Sequence, residues 1–138
     1  ILPFKKLNSM PAAMTAHIKY VDTDSLNPAT QSKTIIDKII RKKIGFSGII
    51  FSDDLCMKAL SGTYTNRAKN SIDAGCDIVM YCGYKLNEAR EVVQGSGDLK
   101  NKVIKRIKKA NKWLINHKNI STFDIRDMKR DLKRLIKI

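Results

Sequence analysis

The sequence has no long apolar run. Its longest are strand-length stretches at residues 48–51 and 78–82, far short of the roughly 20 residues that a membrane-spanning helix requires, so a transmembrane protein and a membrane partner are not expected. Residues 1–16 open Ile-Leu-Pro-Phe-Lys-Lys and never make the apolar core and small-residue cleavage site of a secretory signal. Export is not expected, which implies a cytoplasmic protein. Cysteine is scarce and odd in number: Cys56, Cys76 and Cys82, at spacings of 20 and 6, fit neither a disulfide framework nor a zinc ribbon. They read as reduced thiols, with Cys76 and Cys82 as small buried hydrophobes in or beside an apolar run. Only two histidines are present, His17 and His117, so a histidine-rich metal site is not expected, and no cofactor is implied.

Acidic residues are also few, 13 against 27 Lys and Arg, for a formal net charge of +14. Such an excess ordinarily points to nucleic acid or an anionic surface. Its distribution weakens that reading: residues 1–97 hold 13 basic and 9 acidic side chains, whereas residues 98–138 hold 14 and 4. The excess lies mostly in the tail, and a general bias toward Ile, Lys and Asn accounts for it without a basic-site partner. What is present is the material of one globular core: 138 residues, 43% apolar and 29% charged.

The pattern along the chain alternates. Residues 11–17, Pro-Ala-Ala-Met-Thr-Ala-His, form a short strand running into a loop with Asp22, Asp24, Asn27 and Pro28. Ser32 can cap a helix in which Ile35, Ile36, Ile39, Ile40 and Ile44 recur on one face, ending at Gly45. The apolar run at 48–51 predicts a strand covered on both faces, as in parallel sheets, and it stops at Ser52-Asp53-Asp54. A polar helix over about 65–74, closed by Gly75, leads to a third strand over 77–82. Helical stretches at about 85–93 and 98–116 follow, the second striped by Val103, Ile104, Ile107, Ala110, Trp113 and Leu114. A loop at 119–123 and a basic helix over 127–138 end the chain. Strands alternating with helices imply right-handed crossovers and a parallel sheet. Three strands cannot close a β/α barrel, which needs roughly 250 residues. The chain is therefore a small open sheet or a piece of something larger.

Functional groups of β/α proteins gather where strands end, which makes Asp53 and Asp54 the most informative pair. From the residues alone, an aspartate after a strand is a turn former or helix cap as readily as a catalyst. The wider stretch from Gly45 through Ser52-Asp53-Asp54-Leu55 to Ala59 closely resembles the nucleophile segment of glycoside hydrolase family 3, nearest to its β-N-acetylhexosaminidase branch. Further resemblances follow the family's order: Leu2-Pro3-Phe4, Met14-Thr15-Ala16-His17, Asp24 with Asn27-Pro28-Ala29-Thr30 and Ser32, and Ala74-Gly75-Cys76-Asp77-Ile78-Val79-Met80.

The resemblance implies an α/β fold made of the C-terminal three βα units of a TIM-type barrel, incomplete in this chain. Residues 1–118 would be a C-terminal fragment of the barrel domain and 119–138 a basic helical tail. It implies a retaining glycosidase acting on terminal β-linked N-acetylglucosamine, of the peptidoglycan-recycling type. Asp53 would be the catalytic nucleophile, with His17 and Asp54 on the substrate side. Asp54 would serve as a support that fixes the loop. His17 is read either as facing the sugar or as a structural imidazole at a strand end. Asp24 and residues 28–32 read as turn and capping residues, and Leu55 and Met57 as packing beneath the site.

Members of the branch carry, ahead of the equivalent of Leu2, a Lys-His-Phe-Pro-Gly-His-Gly stretch and an Asp/His acid/base pair, and this sequence has neither. Two readings follow. One is a fragment of the enzyme, inactive alone and completed by an N-terminal fragment of the same barrel. The other is a non-catalytic basic protein whose Lys-rich C-terminal region binds nucleic acid or another acidic partner.

Overall fold

A computed structural model describes residues 1–116 together with Arg130 and Arg134. The loop and basic helix expected beyond residue 118 otherwise lie outside the described residues. The chain opens with a short helix, α1 (Leu2–Lys6), then β1 (Ala12–Met14), a 3₁₀ turn (Ala29–Gln31) and a π-helix (Thr34–Lys43). It continues with β2 (Ile49–Asp54), α2 (Tyr64–Ala74), β3 (Ile78–Met80), α3 (Leu86–Ser96) and α4 (Asn101–Asn116).

The three strands form one parallel sheet in the order β1-β2-β3. Ala12, Ala13 and Met14 stand opposite Ile49, Ile50 and Phe51, and Phe51 opposite Ile78. Parallel pairing places all three carboxyl ends on one edge. The expected strand–helix alternation is present, with α1 as an unanticipated addition.

Ile50 at the sheet centre is fully buried and forms a core with Ile36, Phe46, Ala74 and Cys76, flanked by Ala13, Ile40 and Ile44. A second cluster, Leu55, Leu60, Ala68 and Val92, seals α2 and α3 against the other end of β2. Coverage of β3 is thinner than its apolar sequence predicts: Ile78, Val79 and Met80 are all only half-buried.

The isoleucine helix differs from expectation in its winding. Ile44 N–H bonds to the oxygen of Ile39, five residues back, as in a π-helix. Ile36, Ile40 and Ile44 follow at four-residue steps and all pack into this core, while Ile35 is buried and Ile39 half-buried beside them. Ser32 is the cap that the sequence suggests, its Oγ accepting from Ile35 N–H at 3.1 Å. Gly45 and Gly75 close their helices at φ +78° and +120°, where a side chain is strained. At Gly75 a Cβ would also press within 2.9 Å of Ile36 Cγ2.

The amino-terminal edge of β3 holds an ion network that the sequence reading missed. The carboxylate of Asp77, 1% exposed, pairs with Arg41 at 2.6 Å and with Arg106 of α4. It also accepts the Ile50 N–H at 3.0 Å. Arg41 further donates to the oxygens of Phe46 and Gly48, so one guanidinium fastens the loop entering β2. Cys76 is buried as expected, its thiol pushed up to about 12 by burial. Cys82 is exposed, because β3 ends at Met80 and the chain has left the core by then. Among the described residues no helix is long and apolar enough to cross a membrane.

Candidate active site

The carboxyl edge of the sheet brings together the residues that the sequence singles out. β2 runs through Asp53 to Asp54, so both aspartates are its last residues, and Asp54 also opens the turn that follows, its main-chain oxygen accepting the Met57 N–H at 3.1 Å. Between Phe51 and Asp54 the pairing with β3 slips: Asp54 stands opposite Met80, so three steps of β2 match two of β3. This is a bulge. Ser52 fills it. Its buried hydroxyl accepts the Met80 N–H at 2.9 Å and donates to the Asp53 oxygen at 2.7 Å.

The two carboxylates have different commitments. Asp54 Oδ1 accepts N–H bonds from Cys56 at 2.9 Å and Cys82 at 3.0 Å, tying the ends of β2 and β3 together. Partial burial pushes the Asp54 carboxyl up, but these two N–H groups and the adjacent thiols outweigh it and hold the group below the usual carboxylate range. Among the described residues the Asp53 carboxylate accepts only the Asp54 N–H, through Oδ1 at 2.9 Å. Its Oδ2 takes no hydrogen bond among the described residues.

His17 follows β1 and reaches across to the same edge, where Nε2 lies 2.9 Å from the main-chain oxygen of Asp54. Nδ1 lies 2.8 Å from Thr30 Oγ1. Both ring nitrogens are thus engaged within the protein. Thr30 in turn lies 2.8 Å from Thr15 Oγ1. The two threonines were not singled out from the sequence; their only signal was a place inside the Met-Thr-Ala-His and Asn-Pro-Ala-Thr stretches.

Arg67 braces the loop after β2. It donates to the Leu55 and Gly62 oxygens at 2.8 and 3.0 Å and packs on the Tyr64 ring. Leu55 is fully buried as expected, but Met57 is 44% exposed, since it lies on the outer side of this braced loop.

Asp24 is the turn former that the sequence suggests. Oδ1 accepts the Leu26 and Asn27 N–H groups at 3.1 and 3.0 Å, and Oδ2 accepts the Ser32 hydroxyl at 2.7 Å. The Ser32 hydroxyl and the Asn27 N–H lower its pKa from 3.8 to about 2. A carboxylate stabilised in the fold contributes stability above its unfolded pKa and loses it as pH falls through the folded value. Between about pH 4 and pH 2, therefore, the wild type is expected to lose stability that Asp24→Asn does not lose. Carbon-detected titration of the Asp24 carboxyl checks this, and an ordinary midpoint near 3.8 would contradict it.

No group of three or more His, Cys, Asp or Glu side chains is placed to hold a metal ion among the described residues. Neither of two cavities beside the sheet includes Asp53, Asp54 or His17. The larger, about 340 Å³, lies between β3, α3 and the start of α4. The second is at the Arg41–Arg106 edge.

A three-stranded parallel sheet with two aspartates at its carboxyl edge defines an α/β fold with a candidate site at that edge, and the comparisons with known proteins narrow this. Residues 1–113 match the model of the glycosyl hydrolase family 3 N terminal domain, and the chain belongs to that family. It is 42% identical over 103 residues to a beta-hexosaminidase of Haemophilus influenzae, covering 71% of this chain and 28% of that protein. The solved NagZ of Neisseria gonorrhoeae is 33% identical, with a TM-score of 0.63 over 78% of this chain and 31% of that one. A family 3 beta-N-acetylglucosaminidase from Paenibacillus sp. str. FPU-7 shares the fold at 21% identity, with a TM-score of 0.67 over 87% of this chain and 25% of that one. The chain thus spans under a third of the length of these relatives.

Proposed function

We propose that this chain supplies the C-terminal three βα units of a β/α barrel and carries the nucleophile of a retaining β-N-acetylhexosaminidase. The observation that carries the reading is the unequal engagement of the two aspartates: among the described residues the Asp53 carboxylate accepts one N–H, that of its chain neighbour Asp54, while Asp54 Oδ1 is held by the Cys56 and Cys82 N–H groups and ties β2 to β3. In the first step Asp53 attacks the anomeric carbon of a terminal β-linked N-acetylglucosamine. The bond to the leaving oxygen breaks, that oxygen takes a proton from a general acid, and a glycosyl-enzyme forms that water then hydrolyses. Asp54 keeps the rim rigid, and His17 borders it with only ring carbons left to meet a sugar.

The general acid and the walls of the sugar site come from an N-terminal fragment of the same barrel, whose strands extend the sheet beyond β1 and β3. The chain's span of under a third of its relatives' length supports this completion. The resemblance to the β-N-acetylhexosaminidase branch favours a role in cytoplasmic peptidoglycan recycling.

Residues 1–138 alone are expected to release no measurable chromophore from an aryl N-acetyl-β-glucosaminide, because the departing oxygen stays unprotonated. Mixing with the upstream segment of a family relative is expected to restore turnover. Turnover by the purified chain alone, lost in Asp53→Asn, would overturn the division of the site between two pieces.

A further inference from the structure

The hydrogen bonds around His17 have directions that the chemistry of their atoms decides. The oxygen of Asp54 only accepts, so Nε2, 2.9 Å away, carries a proton whatever the state of the ring. The other nitrogen begins a chain: Nδ1 to Thr30 Oγ1 at 2.8 Å, Thr30 to Thr15 Oγ1 at 2.8 Å, and Thr15 Oγ1 to the main-chain oxygen of Phe51 at 3.3 Å. Thr15 and Thr30 are 7% and 0% exposed, so their hydroxyls must find partners within the protein: in this chain and, for Thr15, also at the Cys76 thiol.

With a neutral ring, Nδ1 is an acceptor, Thr30 donates to it and Thr15 donates to Thr30. With a charged ring, Nδ1–H donates to Thr30, Thr30 to Thr15, and Thr15 to Phe51. Only hydroxyl hydrogens turn. The Phe51 oxygen can serve at the end because Thr15 N–H already occupies one of its lone pairs at 3.0 Å and the second is spare. It is therefore satisfied in both states.

We propose that Thr15 and Thr30 form a reversible hydrogen-bond chain that keeps His17 clamped on the Asp54 carbonyl in both protonation states, so that the end of β2 bearing Asp53 does not shift when the ring titrates. His17 is then a positioning residue, acting through the main chain. Its value to catalysis rests on the reading of Asp53 as nucleophile. The ionisable groups around the chain are Asp53 and Asp54 of β2, the buried Cys76 thiol that donates to the Thr30 oxygen, and, from the loop carrying Thr30, Asp24, held by Ser32. Lys19 follows in sequence.

The test is imidazole nitrogen NMR on ¹⁵N-labelled residues 1–138 carrying His117→Gln, so that one ring remains, across about pH 5 to 8 where imidazoles titrate. Above the midpoint the Nε2–H tautomer is expected, below it the doubly protonated ring, with the amide resonances of Asp53 and Asp54 unmoved between them. Thr15→Val strands the Thr30 hydroxyl only in the charged state, so the ring's midpoint is expected to fall by about one to two pH units. Thr15→Ser is expected to restore it. A Thr15 that merely packs would change stability without moving the midpoint.

An Nδ1–H tautomer in the neutral ring, an unmoved midpoint in Thr15→Val, or Asp53 and Asp54 amides that follow the titration would each overturn the proposal. Should Thr15→Val not fold, the tautomer and the amides of the parent chain still decide. No substrate enters the measurement. A completed barrel without glycosidase activity would remove the reading of Asp53 and leave this result standing.

Discussion

Asp53→Gly, in the chain assembled with its upstream barrel segment, is expected to lower kcat on an aryl N-acetyl-β-glucosaminide by about 10⁴-fold or more while assembly is retained. Glycine removes the carboxylate proposed to attack, together with the one hydrogen bond that it accepts among the described residues, from the Asp54 N–H. Asp54→Asn is expected to cost about tenfold. The asparagine carbonyl still accepts the Cys56 and Cys82 N–H groups, but without the charge that makes those bonds strong. Steady-state rates and a pull-down of the two pieces separate chemistry from assembly. Equal losses with intact assembly would place Asp54 at the reacting atoms, and an unaffected Asp53→Gly would remove the nucleophile assignment.

The second large effect is on stability. Asp77→Ala takes a nearly fully buried carboxylate from between Arg41 and Arg106 and orphans the Ile50 N–H at the sheet centre. Breaking a buried pair by removing one partner costs about 3–5 kcal/mol, a large part of the roughly 5–15 kcal/mol that holds a domain together. A fall in the urea midpoint of roughly 2 M is expected. Asp77→Asn is expected to lose less, because its carbonyl keeps the Ile50 bond while its amide cannot pair with a guanidinium. A loss below about 1 kcal/mol in Asp77→Ala would show that solvent screens the network.

The aspartate pair and its neighbours were readable because each rests on local pattern. An apolar run that ends in Ser52-Asp53-Asp54 marks a buried strand and its carboxyl end, and the Asn27-Pro28 region with Asp24 marks a turn. Ser32 stands where a cap is needed. Local pattern failed where neighbours distant in sequence set the outcome. Asp77 looked like the start of a strand, yet its role depends on Arg41 and Arg106, 36 and 29 residues away. Met57 looked like core, but the loop that Arg67 braces turns it outward. Cys82 lay at the end of an apolar run and still emerged into solvent, because β3 closes two residues earlier.

The sequence by itself determined the alternation of strands and helices, the parallel character of the sheet and the family, since apolar period, capping residues and contiguous motifs are properties of neighbours along the chain. The tertiary structure alone decided which aspartate is tied to the neighbouring strand. That depends on the β2–β3 register slip that Ser52 fills, on the Cys82 N–H arriving at Asp54 from 28 residues away, and on His17 reaching the Asp54 carbonyl across the sheet. Each is a long-range hydrogen bond whose partners no spacing along the chain can specify.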